Sequence, residues 1–288
     1  MHAEGIVIFD VDGTLSCTSE VDDRCWMDAA AHVIGVRDMS TDWSTYSHST
    51  DEAIATDLIR DRTDLEVGDD VVHRIRDDFA VRIEAAIERE PGLFRPVGGA
   101  PEVFARLRQA GWRVAIATGG WRRTAELKLA TAGVPFEGVA AAHADDAHPR
   151  ERIVELAARR ALHPGESSIG PVVYVGDGIW DVRATRRLGI GFVGVGTGAA
   201  AERLRDEGAE VVLPDFRDET RFMEAVAGVR AASLRWAGGS DVASGPLRAV
   251  PVRPGPRVPF GHCAVPGPPR RPYIYKLPIN RPSGRILF

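Results

Sequence analysis

The chain has 288 residues, of which 44 % are hydrophobic and 27 % are charged, with a net charge of −5. These proportions are typical of a globular protein, and no apolar run approaches the roughly 20 residues that a membrane-spanning helix needs. An acidic balance also argues against a general attraction to nucleic acid. We therefore expect neither a membrane nor a nucleic acid as a partner.

The charge and the prolines are unevenly distributed along the chain. Residues 236–288 carry eight Lys/Arg, one Asp and 11 of the 19 prolines, whereas the remainder carries 28 Lys/Arg against 40 Asp/Glu. Such a tail has too little apolar surface to offset the entropy of ordering the chain. We predict that 236–288 is a Pro/Gly-rich basic tail without packed structure; a functional basic arm is the alternative.

The cysteines and the N-terminal residues bear on the compartment. Cys17, Cys25 and Cys263 are far apart and odd in number, which predicts neither a disulfide framework nor a zinc site and fits a reducing cytoplasm. A strand pattern begins at residue 5, so we also expect no signal peptide. The expected location is cytoplasmic.

The first predicted element is a buried strand, GIVIF at 5–9, which runs directly into Asp10, Asp12 and Gly13. From residue 16 to residue 95 the apolar residues recur only at helical spacing, within 20–35, 49–61 and 69–90. The stretch STDE at 49–52 is typical of a helix start, with Ser49 or Thr50 as the N-cap. A helical module over 16–95 is therefore predicted, inserted after the first strand.

Beyond residue 95 strand and helix patterns alternate. Strands are predicted at 112–118, 138–142, 171–177, 191–196 and 209–214, and helices at 100–111, 121–133, 149–162 and 178–189. This alternation is typical of the α/β class with a doubly wound parallel sheet. The predicted sheet domain comprises 1–15 and 96–235.

Polar residues follow three of the predicted strands. Ligands of open parallel sheets bind beyond the carboxyl ends of the strands, so these residues are candidates for one site. The set is Asp10 and Asp12 after the first strand, Thr118 and Gly119 after the second, Asp177 and Asp181 after the fourth, and Arg150 at a helix start. Carboxylates can attack phosphorus, transfer protons and hold Mg²⁺, and a hydroxyl and a cation can stabilise phosphoryl oxygens. The set predicts phosphoryl transfer.

Three stretches resemble motifs of the haloacid dehalogenase-like (HAD) hydrolases. They are FDVDGTL at 9–15, IATGG at 116–120 and VVYVGDGIWD at 172–181, and the resemblance covers about residues 4 to 228. The third motif of this family is a basic residue that opens a helix. Arg150 fits it best, Arg152 is a rival, and His148 stands where relatives carry lysine.

The resemblance implies a role for each matching position. Asp10 would be the nucleophile, and Asp12 the general acid and base. Thr118 would bind the phosphoryl group, and Arg150 would organise the nucleophile and the phosphate. Mg²⁺ would be held by the carboxylates of Asp10 and Asp177 and by the backbone carbonyl of Asp12, with Asp181 either a direct ligand or a residue that supports the ligands.

The resemblance also implies what the inserted helices do. They correspond to a cap that closes over a small phosphorylated metabolite, as in phosphoglycolate phosphatases. Tyr46 and His48 of a polar cap loop are candidate substrate contacts, together with Gly119. Trp121 and Trp180 either wall the pocket or pack in the interior. Asp12 argues against a dehalogenase, whereas a phosphomutase of the β-phosphoglucomutase kind and a non-catalytic binding protein remain alternatives.

The loop HADDAHPR at 143–150 offers a second group of metal-ligand residue types, which includes His143, Asp145, Asp146 and His148. No partner set with matching spacing accompanies them in the sequence. We therefore expect a solvated polar loop here and no second metal site.

Overall fold

The computed structural model describes residues 5–229, 233–236 and 247–250. The strands are β1 (Gly5–Phe9), β2 (Trp112–Ala117), β3 (Ala140–Ala142), β4 (Ser168–Gly176), β5 (Gly191–Val195), β6 (Val212–Leu213), β7 (Ser233–Trp236) and β8 (Leu247–Val250). The helices are α1 (Ser19–Val33), α2 (Asp51–Arg62), α3 (Asp69–Arg89), α4 (Ala100–Gln109), α5 (Arg122–Thr131), α6 (Arg150–Arg160), α7 (Ile179–Leu188), α8 (Gly198–Asp206) and α9 (Glu219–Gly228).

The main sheet is parallel, with the strand order β3-β2-β1-β4-β5-β6. Phe9 at the end of β1 pairs with Ile116 of β2 and Val175 of β4, so these three strands end at nearly the same level. Whatever follows them therefore meets at one edge of the sheet. The prediction of a doubly wound α/β fold is confirmed.

Burial explains why β1 lies at the centre of the sheet. All five of its residues are buried, with Val7 and Phe9 in one apolar cluster and Ile6 and Ile8 in another. Helices cover both faces, which is the environment that a continuous run of apolar β-formers requires. Charged side chains can therefore be accommodated only beyond the end of β1.

Helices α1, α2 and α3 form an insertion between β1 and α4, and they share an apolar cluster of their own. Trp26 of α1 and Phe79 and Ile83 of α3 are buried in it. Thr50 occupies the predicted N-cap position of α2, but its hydroxyl donates to the carbonyl of His148, 2.9 Å away, and does not cap the helix. The hydroxyl instead makes a long-range contact between the insertion and the loop before α6.

Among the named elements of the described residues, α8, α9, β7 and β8 were not predicted. Strand β8 lies within the segment 236–288, so the expectation of no regular structure is corrected at Trp236 and at 247–250. Strand β7 pairs antiparallel with the first residues of β4 and with β8, and such distant pairing leaves no mark in local composition. The rest of that segment lies outside the described residues.

Within the described ranges, no helix combines the length and the apolar character needed to cross a bilayer.

Trp121 connects the two parts of the fold. It follows β2 yet is buried in the apolar cluster of the insertion, where its ring stacks on Trp26 with centroids 5.9 Å apart. Its indole Nε1 also donates to Glu52 at 2.9 Å. The sequence left open whether Trp121 walls the pocket, and its burial shows that it packs.

We predict that Trp121→Ala lowers the free energy of unfolding by about 3–5 kcal/mol, because it leaves a large cavity between the insertion and the sheet. Urea denaturation followed by circular dichroism measures this loss. Trp180→Ala is the matched control. Because Trp180 is only partly buried, this substitution should lower the free energy of unfolding clearly less. Equal losses in the two variants would contradict the assignment.

Candidate active site

A cavity of about 510 Å³ lies at the carboxyl edge of the sheet. The strand ends contribute Asp10, Asp12, Thr118 and Asp177 to its wall, and Arg150 enters from α6. The insertion supplies the opposite wall, with Asp22, Asp23, Trp43, Ser49 and Asp51 among its residues. The predicted convergence of polar residues at this edge is therefore present in the structure.

Asp10 is fixed at the bottom of the cavity by the end of β1. Its backbone N–H donates to the carbonyl of Val175 at 3.0 Å, which continues the β1–β4 pairing by one residue. Its side chain is only 4 % exposed. Burial raises the pKa of this carboxyl, and the Arg150 guanidinium opposes the rise.

The turn after Asp10 requires glycine. Gly13 has a φ of +76°, and a Cβ atom on it would lie 1.9 Å from Oδ2 of Asp177. The next residue, Thr14, donates its hydroxyl to Oδ1 of the same carboxylate at 3.3 Å. Residues 13 and 14 therefore bring the chain close to Asp177 and hold it there.

Three carboxylates meet in this part of the cavity. Oxygens of Asp10, Asp177 and Asp181 lie within 4.8 Å of one another. Asp181, in the first turn of α7, accepts from the N–H of Gly178 at 3.1 Å and is fully buried. Burial raises the pKa of Asp181 to about 7 despite the attraction of Arg150. Burial, together with the Asp10 and Asp181 charges, raises the pKa of Asp177 well above its usual range.

This donor set fits a hard divalent cation. The oxygens belong to carboxylates, the ligands that Mg²⁺ favours. Burial, and after it repulsion from neighbouring carboxylates, raises their pKa values, and a bound divalent cation would oppose both effects. Asp12 does not place its carboxylate in this group. The predicted loop at 143–150 forms no such group among the residues of the described ranges.

Arg150 opens α6 and lies against the carboxylates. Its Nη1 donates to Asp181 at 2.9 Å and to Asp10 at 3.3 Å, and its Nη2 donates to the carbonyl of Ser49 at 2.8 Å. Arg152 is instead paired with Glu155 at 2.6 Å. The geometry thus favours Arg150 over its rival as the basic residue of the site.

Thr118 and Gly119 follow β2 and line the cavity. The Thr118 hydroxyl accepts from the N–H of Gly120 at 3.2 Å. Its proximity to Asp10 also opposes the rise in the pKa of that carboxyl. A Cβ atom on Gly119 would lie 2.3 Å from Nη2 of Arg150. Glycine at position 119 therefore leaves room for the Arg150 guanidinium.

Asp12 lies beside the cluster, and both of its oxygens are held. Oδ1 accepts from the hydroxyl of Thr18 at 2.5 Å, and Oδ2 accepts from the ammonium of Lys128 at 2.7 Å. Lys128 was not predicted. One signal could have found it, because Lys128 falls on the buried stripe of α5 with Thr124, Ala125 and Leu129. A charge at such a position needs a partner.

Tyr46 and His48, the candidate substrate contacts of the insertion, do not line the cavity. The Tyr46 hydroxyl donates to the carbonyl of Ser40 at 2.9 Å, and His48 is exposed. Trp43 and Ser49, from the same loop, line it instead. Sequence could not make this distinction, because it depends on how the loop turns around Asp42. That carboxylate accepts from the N–H of Ser44 at 3.1 Å.

The loop 143–150 is a cluster of ion pairs. Asp146 accepts from Arg160 at 2.7 Å and from the N–H of His143 at 2.9 Å. Asp145 accepts from the N–H of Arg122 at the start of α5, 2.6 Å away. His143 is buried, and its burial lowers its pKa to about 4. The two carboxylates of this loop, Asp145 and Asp146, therefore have structural partners.

Comparisons with known proteins identify the family of this chain. Residues 5–189 match the family described as haloacid dehalogenase-like hydrolase. The chain therefore belongs to that family and is a hydrolase. A search of curated proteins found no match.

Solved structures share the fold. A hydrolase from Pseudomonas syringae is 22 % identical, with a TM-score of 0.59, over 76 % of this chain and 98 % of that one. CbbY from Rhodobacter sphaeroides in complex with phosphate is 20 % identical, with a TM-score of 0.54, over 75 % and 96 % of the two chains. A CbbY mutant in complex with xylulose-(1,5)-bisphosphate is 19 % identical, with a TM-score of 0.55, over the same shares.

We predict that MgCl₂ raises the melting temperature of the wild-type chain, because a cation that binds only the folded state stabilises it. The gain is about 2.7 kcal/mol when the ion concentration is 100 times Kd. Calorimetry with and without a chelator measures the shift. Asp177→Asn should remove most of it, whereas Asp64→Asn, at an exposed position, should retain it. An equal shift in both variants would place the ion elsewhere.

Proposed function

We propose that this hydrolase is a Mg²⁺-dependent phosphatase that hydrolyses a small phosphorylated metabolite through an aspartyl-phosphate at Asp10. One observation carries the proposal. The buried Asp10 carboxylate lies among two further carboxylates and a guanidinium, while a separate carboxyl, Asp12, is held two residues away. Dehalogenation has no need of that second group, whereas phosphate-ester hydrolysis uses it in both of its steps.

In the first step, a carboxylate oxygen of Asp10 attacks phosphorus and forms the new P–O bond. The P–O bond to the alcohol breaks, and Asp12 gives its proton to the leaving oxygen. Arg150 and Thr118 contribute positive charge and a hydroxyl dipole beside the phosphoryl oxygens. The products are a free alcohol and a phosphorylated Asp10.

In the second step, water attacks phosphorus and Asp12 takes one of its protons. The P–O bond to Asp10 breaks, and the carboxylate and inorganic phosphate are released. Each group thus returns to its starting protonation state. Asp12 acts first as acid and then as base, which requires that its carboxyl keep one orientation throughout.

The carboxylates of Asp10, Asp177 and Asp181 and the backbone carbonyl of Asp12 would hold Mg²⁺. When bound, the ion neutralises charge on the phosphoryl oxygens as the nucleophile approaches. Residues 16–95 act as a cap in this proposal, and 1–15 with 96–235 act as the catalytic domain. The cavity between them has the size range of small-molecule sites, so the substrate class is a phosphoglycolate-like ester or a sugar phosphate.

We predict that Asp10→Asn lowers kcat at least about a hundredfold, a loss of about 2.7 kcal/mol in transition-state stabilisation. An amide attacks phosphorus poorly. Phosphate release from p-nitrophenyl phosphate and from a panel of phosphorylated metabolites, each with MgCl₂, measures the effect. Asp64→Asn serves as the control and should match the wild type.

Retention of more than about a tenth of kcat by the folded Asp10→Asn variant, a loss below about 1.4 kcal/mol, would contradict the proposed role of Asp10. Conversion of a sugar phosphate to its isomer without release of phosphate would instead identify a mutase.

We also predict that Trp43 contributes to substrate choice. Its ring lines the cavity, and its indole Nε1 donates to Asp23 at 3.0 Å, so its removal changes the cap wall without touching Asp10. Trp43→Ala should change the ratio of kcat/KM values for a sugar phosphate and p-nitrophenyl phosphate by about tenfold. His48→Ala is the matched control and should leave the ratio unchanged. A uniform loss on all esters would show that Trp43 only supports the fold.

A further inference from the structure

We propose that Lys128 is a positioning residue for Asp12 and that it orients this carboxyl jointly with Asp22 of the insertion. The inference rests on the proposed function, because it assigns Lys128 a part in the proton transfers of Asp12. Lys128 itself lies behind Asp12 and outside the cavity lining. It would therefore act through Asp12 and not on the substrate.

The contacts of Lys128 carry the proposal. Its side chain is 1 % exposed, and its ammonium donates to Oδ2 of Asp12 at 2.7 Å and to Oδ1 of Asp22 at 2.5 Å. The ring of Phe79 lies 5.9 Å from the same nitrogen. Lys128 belongs to α5 of the sheet domain, whereas Asp22 and Phe79 belong to α1 and α3 of the insertion. The lysine thus bridges the two parts of the fold at the point where Asp12 enters the cavity.

A purely structural role explains these contacts poorly. Burying an ammonium costs several kcal/mol of hydration before its partners offset the cost, and an apolar residue of similar volume often stabilises a fold at least as well. The other buried residues of this stripe carry no charge, since Ala125 and Leu129 are apolar and Thr124 is neutral. A charge kept at 128 is best explained by what it does to Asp12.

The arrangement fixes the Asp12 carboxyl from both sides. Thr18 holds Oδ1 and Lys128 holds Oδ2, so rotation about the Cβ–Cγ bond would break two bonds at once. Proton transfer is efficient only when donor and acceptor are aligned, and small displacements lower rates strongly. Because Lys128 also binds Asp22, the alignment of Asp12 depends on α1 being seated against α5. This links the packing of the insertion on α5 to the orientation of the acid and base.

A double-mutant cycle on kcat tests the role. Lys128→Met should lower kcat for a metabolite phosphate about tenfold or more, since general acid–base catalysis contributes about 10²–10⁴-fold. KM should change by less than about threefold, because Lys128 does not line the cavity. In the Asp12→Asn background the same substitution should lower kcat by less than about twofold, since the group that it orients is already absent. A structural defect would lower kcat equally in both backgrounds.

Thr124→Val is the matched control, because Thr124 is a buried polar residue of the same helix whose hydroxyl donates to the carbonyl of Trp121. It should alter the melting temperature and leave kcat within about twofold of the wild type. Should Lys128→Met not fold, the cycle is run with Lys128→Gln, which keeps a hydrogen-bond donor. Failure of both variants to fold would overturn the proposal in favour of a structural role.

The outcomes separate this inference from the proposed function. Full activity in Asp12→Asn, or a wild type without phosphatase activity, would refute the proposed function. An active wild type, an impaired Asp12→Asn and a Lys128→Met variant with unchanged kcat would overturn the role of Lys128 alone. Additive losses in the cycle would also overturn it.

Discussion

The Arg150 guanidinium holds together carboxylates that would otherwise repel one another. It bonds to Asp10 and Asp181 inside the sheet domain and to the carbonyl of Ser49 in the insertion. One guanidinium faces three acids here, and burial together with the neighbouring carboxylates raises the pKa values of Asp177 and Asp181. In the proposed function, a divalent cation and the insertion complete the site. Both features arise because α6 begins at Arg150, which places its guanidinium between these carboxylates and Ser49.

The parallel sheet makes this arrangement possible. A continuous apolar strand such as β1 can occupy the centre only if charge is kept out of it, and the first place where charge is tolerated is the strand end. The aligned ends of β1, β2 and β4 then bring Asp10, Thr118 and Asp177 together without any long loop. In the proposed function, substrate choice is assigned to uncharged residues of the insertion wall such as Trp43.

Much of the sheet domain could be predicted because its signals are local. Asp10, Asp177 and Asp181 stand in short motifs at strand ends, and the strand pattern alone puts those ends at one edge. Tyr46 and His48 could not be assessed this way, because the turn of their loop is set by contacts with Asp42 and Asp57. Lys128 and β8 were missed for a related reason. The partners of Lys128, Asp12 and Asp22, are distant from it in sequence. The pairing of β8 with β7 leaves no signal in the local composition.

Trapping the phosphorylated enzyme tests the central claim most directly. The Asp12→Asn variant, mixed with MgCl₂ and p-nitrophenyl phosphate, should accumulate the intermediate, because this leaving group needs little protonation whereas the attacking water still lacks its base. Borohydride reduces an aspartyl-phosphate to homoserine, and mass spectrometry of the peptides locates it. The account predicts homoserine at position 10 and its absence without substrate. Homoserine at another aspartate, or phosphate release with unmodified Asp10 under conditions where a control aspartyl-phosphate is reduced, would contradict it.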